Sequence, residues 1–346
     1  MLKMKTEYIT LDPYAFDSCQ LQSAAKIVKN GGLVAFPTET VYGLGADAYS
    51  EDAAQKIYAA KGRPSNNPLI VHIARAEDAE KFVYTDENFY KVARAFMPGP
   101  ITVVMKSKMT VSESVCAGLD TLALRVPVHP IARALIEVSG CPIAAPSANT
   151  SGRPSPTSAA HVMRDLDGKV DMIIDGGECE VGLESTIIKL TDGKAVLLRP
   201  GAVTYEMLCE LLGEVEIAKG VLEQPEVNAL VESPGMLISH YAPNAPFYLV
   251  KGKDEDVERF LCNKAKEDGS YVLAYEGECE ECNRKISLGS KEKYKDGAKR
   301  LFSALREADD LGALQIYAQY PDTYGMGLAL LNRMLRASSF RIIELK

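Results

Sequence analysis

The groups in this chain best suited to chemistry are cations set beside turn residues. Lys61-Gly-Arg63 closes a helix-like segment, Arg125 ends an apolar run, and Arg199-Pro-Gly201 leaves another. Hydroxyls and amides fall in similar places. Pro37-Thr-Glu-Thr40 follows the apolar residues 32–36. Pro146-Ser-Ala-Asn149 runs into the hydroxyl- and glycine-rich Thr150-Ser-Gly-Arg-Pro-Ser-Pro-Thr157, and Glu184-Ser-Thr186 opens a further apolar run. Singly, each has an ordinary explanation: Lys61 complements a helix C-terminus, Arg63 sits on the surface, Ser147 and Asn149 form turns, Thr38 and Thr40 cap loops, and His72 is a core histidine in a strand. Together, four strong cations on loop ends describe a pocket for a polyanion, where a low dielectric strengthens each charge interaction.

Familiar site patterns are missing. No G-x-x-x-x-G-K-[ST] loop occurs, so a triphosphate would not sit in a Walker cradle. Gly43-Leu-Gly45-Ala-Asp-Ala48 imitates a dinucleotide fingerprint, but Pro37–Tyr42 separates it from the preceding strand, where the fingerprint needs a tight turn; it reads as a flexible loop. Neither H-E-x-x-H nor G-x-S-x-G is present, and His72, His129, His161 and His240 lack metal spacing. Cys279-Glu-Glu-Cys282 has the spacing of half a zinc site, but a second pair is missing and only Cys262 lies near it in sequence. It reads as a solvated acidic loop, and no protein-ligated metal is expected. The eight cysteines are scattered, which suits reduced thiols over a disulfide framework.

The elements that must position these residues follow from apolar periodicity. Residues 32–36, 69–73, 101–105, 122–126, 143–145 and 172–174 read as buried strands. A helix follows Ser50, which caps it, with Glu51 and Asp52 in its first turn; Gly62 and Pro64 end it near Lys61. Residues 131–138, 157–166 and 205–212 are also helical. Thr191-Asp-Gly-Lys194 between two apolar runs is a hairpin signal, which predicts an α+β domain with a mixed, twisted sheet. The Pro-, Gly- and Asn-marked stretch 213–246 reads as an extended linker. Beyond it, strand and helix alternate as in a small Rossmann-like α/β domain. The expected organisation is therefore 1–212, a linker or lid at 213–246, and 247–346. A length of 346 residues fits two domains at roughly 150 residues each.

Composition narrows the function. The chain is 47% hydrophobic and 25% charged, ordinary globular usage. No stretch approaches the roughly 18 apolar residues that span a bilayer, and the start lacks the apolar core of a secretion signal, so a cytoplasmic protein is expected. Residues 247–346 carry 17 basic and 17 acidic groups, so the net charge of −8 lies wholly in the N-terminal part. A nucleic-acid-binding module is disfavoured by that acidity and by the lack of aromatics interleaved with the basic residues.

Seven blocks, in order, carry a resemblance: FPTETVYGLGADA, KGRPSNNPLIVHI, PGPITVV, LRVPVHP, PIAAPSANTSGRPSPT, GLESTII and LLRPG. They resemble the YrdC-like family in its long two-domain form, whose members are L-threonylcarbamoyladenylate synthases. The match is dense over roughly residues 15–205, and the linker and C-terminal part follow the same plan. The resemblance implies condensation of L-threonine, bicarbonate or carbon dioxide, and ATP to threonylcarbamoyl-AMP and pyrophosphate. Downstream transferase proteins then move the threonylcarbamoyl group to adenosine beside the anticodon of tRNAs reading A-starting codons. It maps a catalytic, nucleotide-facing tetrad onto Lys61, Arg63, Ser147 and Asn149, with Asn67, Ser155, Arg199 and a lid residue, Tyr241, on the ATP side. Threonine would meet Thr38 or Thr40, His72, Thr121, Arg125 and Ser185, with Arg125 a bidentate partner for its carboxylate. Magnesium would arrive with ATP, and direct tRNA contact would be weak at most. A similar domain serves carbamoyl transfer in hydrogenase maturation, but those proteins add paired zinc-finger cysteines and an acylphosphatase domain, which this chain lacks.

Overall fold

Short apolar runs bounded by glycine and proline become strands, and the segments of 3.6 period become the helices that cover them. The computed structural model describes residues 5–224, 240–290 and 294–346. In the N-terminal part the strands are β1 (Glu7–Thr10), β2 (Val34–Phe36), β3 (Gly43–Asp47), β4 (Ile70–His72), β5 (Ile101–Lys106), β6 (Thr121–Arg125), β7 (Ile143–Ala144), β8 (Met172–Asp175), β9 (Thr186–Thr191), β10 (Lys194–Arg199) and β11 (Glu216–Ile217). Their spatial order is β1-β8-β2-β3-β7-β4-β6-β5-β9-β10-β11. Pairing is mixed, as expected: β4 runs parallel to β6 and β5 to β9, whereas β5–β6, β3–β7 and β9–β10 are antiparallel. The β9–β10 turn has positive φ at both Asp192 and Gly193, the conformation that makes Asp-Gly a hairpin former.

One segment differs from its sequence reading. Gly43–Asp47 is a buried strand paired with β2 and β7, not a flexible loop. Its glycines obscured the pattern but are what let it fit. A Cβ on Gly45 would come within 2.7 Å of the Phe36 ring and of an Ile143 methyl.

One face of the sheet packs its main core, including Val71, Val103, Leu124 and Ile188, against helices such as Glu51–Lys61 and Glu87–Phe96. The other face is shared. Helices Gln22–Lys29 and Pro130–Ser139 cover Val34, Phe36 and Ile174. Beside them Ile70, Val104, Ala123, Ile187 and Leu198 form only a small patch, and there the site lies.

The C-terminal sheet has β12 (Phe247–Lys251), β13 (Ser270–Ala274), β14 (Lys285–Ser287), β15 (Gln315–Gln319) and β16 (Ile342–Glu344), ordered β14-β13-β15-β12-β16 and parallel throughout. Helices Tyr294–Asp310 and Met326–Ala337 supply the apolar layer on one face, and Asp254–Lys264 covers the other. The expected linker at 213–246 falls in part on 225–239, outside the described residues. From the C-terminal helices three large, fully buried arginines stand out. Arg306 pairs with Asp165 (2.8 Å) and donates to Pro154 O, Arg333 pairs with Glu184 (2.8 Å), and Arg336 donates to Gly220 O. Both sheets thus share one set of buried ion pairs. Among the described residues, no helix is long and apolar enough to cross a membrane.

Candidate functional site

A cavity partly open to solvent rests on the lightly covered face. Its floor is made of small or short groups on the sheet, Gly43, Ile70 and Ala145, and its wall holds Thr38, Arg63, His72, Arg125, Ser147, Glu184, Ser185, Arg199, His240 and Tyr241. Sequence reading placed the polar groups at strand ends. The structure adds that they line one cavity together with Gly43, Ile70 and Ala145 of the sheet region.

The helix Glu51–Lys61 delivers the first pair. Ser50 accepts a hydrogen bond from Ala53 N–H, and the helix stops at Gly62, whose φ of 64° gives a left-handed cap. Arg63 N–H then bonds back to Tyr58 O (2.9 Å), which turns the Arg63 side chain inward. There its guanidinium is held by Asn67 O (3.3 Å) and Pro68 O (3.0 Å). Lys61 Nζ donates to Ser147 O and Asn149 O, each at 2.5 Å. Ser147 Oγ donates to Asn149 Oδ1 (2.5 Å), and the Asn149 amide is fixed by Thr150 O and Arg153 O. Lys61, Ser147 and Asn149 therefore form one hydrogen-bonded unit, and Arg63 is held separately beside it. Arg63 and Ser147 line the cavity, while Lys61 and Asn149 stand buried behind them as the brace.

The opposite wall gathers at neighbouring strand ends. In the sheet register Thr102 lies opposite Arg125, and Thr102 shares a 2.7 Å hydrogen bond with Ser185 just before β9. Arg199, ending β10, donates to Ser185 O (3.0 Å) and Oγ (3.2 Å). Arg125 pairs with Glu39 at 2.7 Å, both buried. Thr38 lines the cavity and donates to Val41 O (2.6 Å); Thr40 lies behind it, 2.9 Å from the Thr38 hydroxyl. Of the two threonines, Thr38 is the one that lines the cavity. Tyr241 (φ 67°) packs edge-on against His240 and at a tilt against Phe302 of the C-terminal part.

Three expected residues are placed differently. Thr121 begins β6, four residues before Arg125, so at roughly 3.3 Å per residue it lies roughly 13 Å away. It lines a small separate pocket with Pro68 and Leu122 and takes no part in this wall. Asn67 and Ser155 are buried outside the lining: Asn67 offers its carbonyl to Arg63, and Ser155 donates to Glu184. Sequence reading missed Glu39, Glu184, His240 and Arg333. Glu39 and Glu184 stand inside blocks already singled out, PTET and GLEST, but a carboxylate in a pocket for anions gave no signal until its arginine partner was known.

The electrostatics are those of cations awaiting an anion. Burial, then Arg63 beside it, holds Lys61 well below the ordinary lysine range. Burial also lowers Arg63 and Arg199 to about 10. His72 falls to about 3 through burial and the nearby Arg125, and His240 to about 3 through burial and Arg63, so both are neutral hydrogen-bonding groups at neutral pH. Burial pushes Glu184 up, but Arg333 and Arg199, with the bond from Ser155, outweigh it and hold it at about 2. A polyanion entering here would return the solvation that the cations have lost.

Arg63, Arg125 and Arg199 all face this cavity, which suits it to an anionic small molecule. A family model described as Telomere recombination, Sua5_yciO_yrdC, matches residues 26–201, and one described as Threonylcarbamoyl-AMP synthase, C-terminal domain, matches 203–339. The chain belongs to the Sua5/YciO/YrdC family, in the two-domain form of the threonylcarbamoyl-AMP synthases. The chain is similar to threonylcarbamoyl-AMP synthase of Pyrococcus abyssi, 44% identical across 94% of this chain and 96% of that one. The Bacillus subtilis protein of the same name is 41% identical across 99% and 100%. Among solved structures, P. abyssi Sua5 complexed with L-threonine superposes with a TM-score of 0.90 at 42% identity over 99% of both chains.

Proposed function

We propose that this chain joins L-threonine, bicarbonate or carbon dioxide, and ATP into threonylcarbamoyl-AMP with release of pyrophosphate. The observation that carries this reading is the convergence of Arg63, Arg125 and Arg199 on one cavity, in a chain whose nearly full-length relatives bear that enzyme's name. Threonine's amine and carbon dioxide form a carbamate. Its oxygen attacks the α-phosphorus, and the bond to pyrophosphate breaks in line. Every species is anionic, so positioning and charge stabilisation do the catalysis.

In this reading Arg125 exchanges Glu39 for the threonine carboxylate, while Thr38, His72 and Ser185 orient the rest of the amino acid. Arg63 and Arg199 hold phosphates, Ser147 contacts the nucleotide, and Lys61 and Asn149 keep that loop in register. Asn67 and Ser155 support the ATP side from behind. Tyr241 closes the cavity, which protects a mixed anhydride from water. Magnesium, when bound, neutralises phosphate charge and orients the leaving group. The nearby carboxylates, Glu39 and Glu184, are engaged by Arg125 and Arg333, so the ion fits as one carried by the triphosphate.

Residues 1–212 would form the catalytic domain, 213–246 the linker and lid, and 247–346 a supporting domain. The protein would work in the cytoplasm as a nucleotidyltransferase of tRNA modification, passing its product to a threonylcarbamoyl transferase complex, with tRNA itself touched weakly at most. Pyrophosphate release measured with ATP alone, then with threonine and bicarbonate singly and together, tests the reading. Release only with all three is expected. Release that ignores threonine, or steeply salt-dependent tRNA binding without turnover, overturns it.

A further inference from the structure

The outer face of the C-terminal sheet, opposite the face that packs toward the catalytic part, carries a group of thiols with no place in the proposed reaction. Cys262 lies near the end of helix Asp254–Lys264, and Cys279 and Cys282 lie in the crossover from β13 to β14. Seventeen residues separate Cys262 from Cys279, yet their sulfurs are 3.0 Å apart, and all three sulfurs lie within 4.8 Å of one another. The acidic side chains Glu276, Glu280 and Glu281 are exposed, as a solvated acidic loop would have them, but Cys279 within that loop is buried.

A tetrahedral thiolate site with metal–sulfur bonds of roughly 2.3 Å has sulfur–sulfur edges of roughly 3.8 Å, between those two separations. We propose that Cys262, Cys279 and Cys282 form a three-thiolate site for a soft divalent cation of the zinc class, its fourth position open to water. A disulfide would use two sulfurs and leave the third idle, whereas all three converge here. Sulfur donors select zinc-class ions over magnesium or calcium. Two nearby carboxylates have partners of their own: Glu278 accepts from Tyr275 N–H (3.0 Å), and Glu280 from Gly277 N–H (2.8 Å) and Lys285 (2.7 Å).

Binding releases the thiol protons and ties the helix to the crossover, so the ion acts as a clip within the C-terminal sheet. Its presence is independent of the catalytic reading, because the readout below is not turnover. The test is titration of the reduced, chelator-stripped full chain with cobalt(II), followed by zinc. About one equivalent of cobalt is expected, with sulfur-to-metal charge-transfer absorption that zinc removes. Cys262→Ser and Cys282→Ser should each cut that absorption by about a third and weaken binding roughly tenfold or more, with pyrophosphate release unchanged as the sign of an intact fold. Absence of the absorption at stoichiometric cobalt, or serine variants that bind as the parent does, would overturn the site. So would a thiol count in denaturant two short of the eight cysteines in the untreated protein, which would mark a Cys262–Cys279 disulfide instead.

Discussion

Two buried cations and one ion pair at the cavity decide what individual residues should do when changed. Arg63 lines the wall and Lys61 braces the loop that carries Ser147, so they fail in different ways. Arg63→Ala should lose about a hundredfold in pyrophosphate release, the usual cost of a donor aimed at developing charge. Lys61→Ala should lose as much by releasing two loop carbonyls. Far-UV circular dichroism of both variants should match the parent, and parent-like turnover would remove either from the site. Glu39 makes a sharper case. If Arg125 takes the threonine carboxylate as proposed, the Glu39 carboxylate competes for the same guanidinium, so Glu39→Gln should lower the KM for threonine. The same change leaves Arg125 less well paired and should cost roughly 3 kcal/mol of stability without ligand. Threonine should restore part of that loss in a thermal melt. A raised KM would show that Glu39 aids threonine binding instead of competing with it.

At the scale of elements, β3 and the returning segment at 240–246 carry the site. Gly45 passes between Phe36 and Ile143 with no room for a methyl, so Gly45→Ala should destabilise the fold by about 1–3 kcal/mol through displaced core side chains. A urea midpoint equal to the parent's would show that the strand shifts freely. Tyr241 is buried with its ring 5.0 Å from that of Phe302, which holds the segment over the cavity. Tyr241→Ala should therefore speed ATP release and leave threonine affinity nearly unchanged. Equal losses for both ligands would mean that the ring shapes the whole cavity. The helix ending at Lys61 was legible from Ser50, Gly62 and Pro64, since caps are local chemistry. β3 was not, because Gly-Leu-Gly looks like a loop until its partners are known.

Across the whole molecule, the C-terminal part braces the cavity. Arg333 reaches Glu184 and Pro200 O, and Glu184 takes the Ser155 hydroxyl. Contact is close enough that Gly182, at φ 78°, has the Lys299 backbone where a Cβ would stand. These buried groups also set the response to acid. His240 is lowered from 6.5 to about 3, so the unfolded chain takes up its proton first; the folded state is fully favoured above 6.5 and loses ground as pH falls toward 3. Glu184, lowered from 4.5 to about 2, adds loss in the same direction over that lower window. Unfolding free energy should fall by about 1.4 kcal/mol per pH unit below 6.5 for each such histidine, and His240→Gln should flatten the slope. Parallel slopes for parent and variant would show that His240 is not held neutral.

By itself the sequence determined the mixed sheet, the helix caps, the cationic character of the site and the family blocks, because periodicity, turn chemistry and charge are written over a few neighbouring residues. Only the tertiary structure decided that Thr38 and not Thr40 faces the cavity, that Thr121 stands apart, that Glu39 and Glu184 hold the arginines, and that three distant thiols meet. Each of those depends on which side of a strand a residue takes and on what another segment, up to 149 positions away as in Glu184 and Arg333, brings against it. Local chemistry does not encode such meetings; packing does.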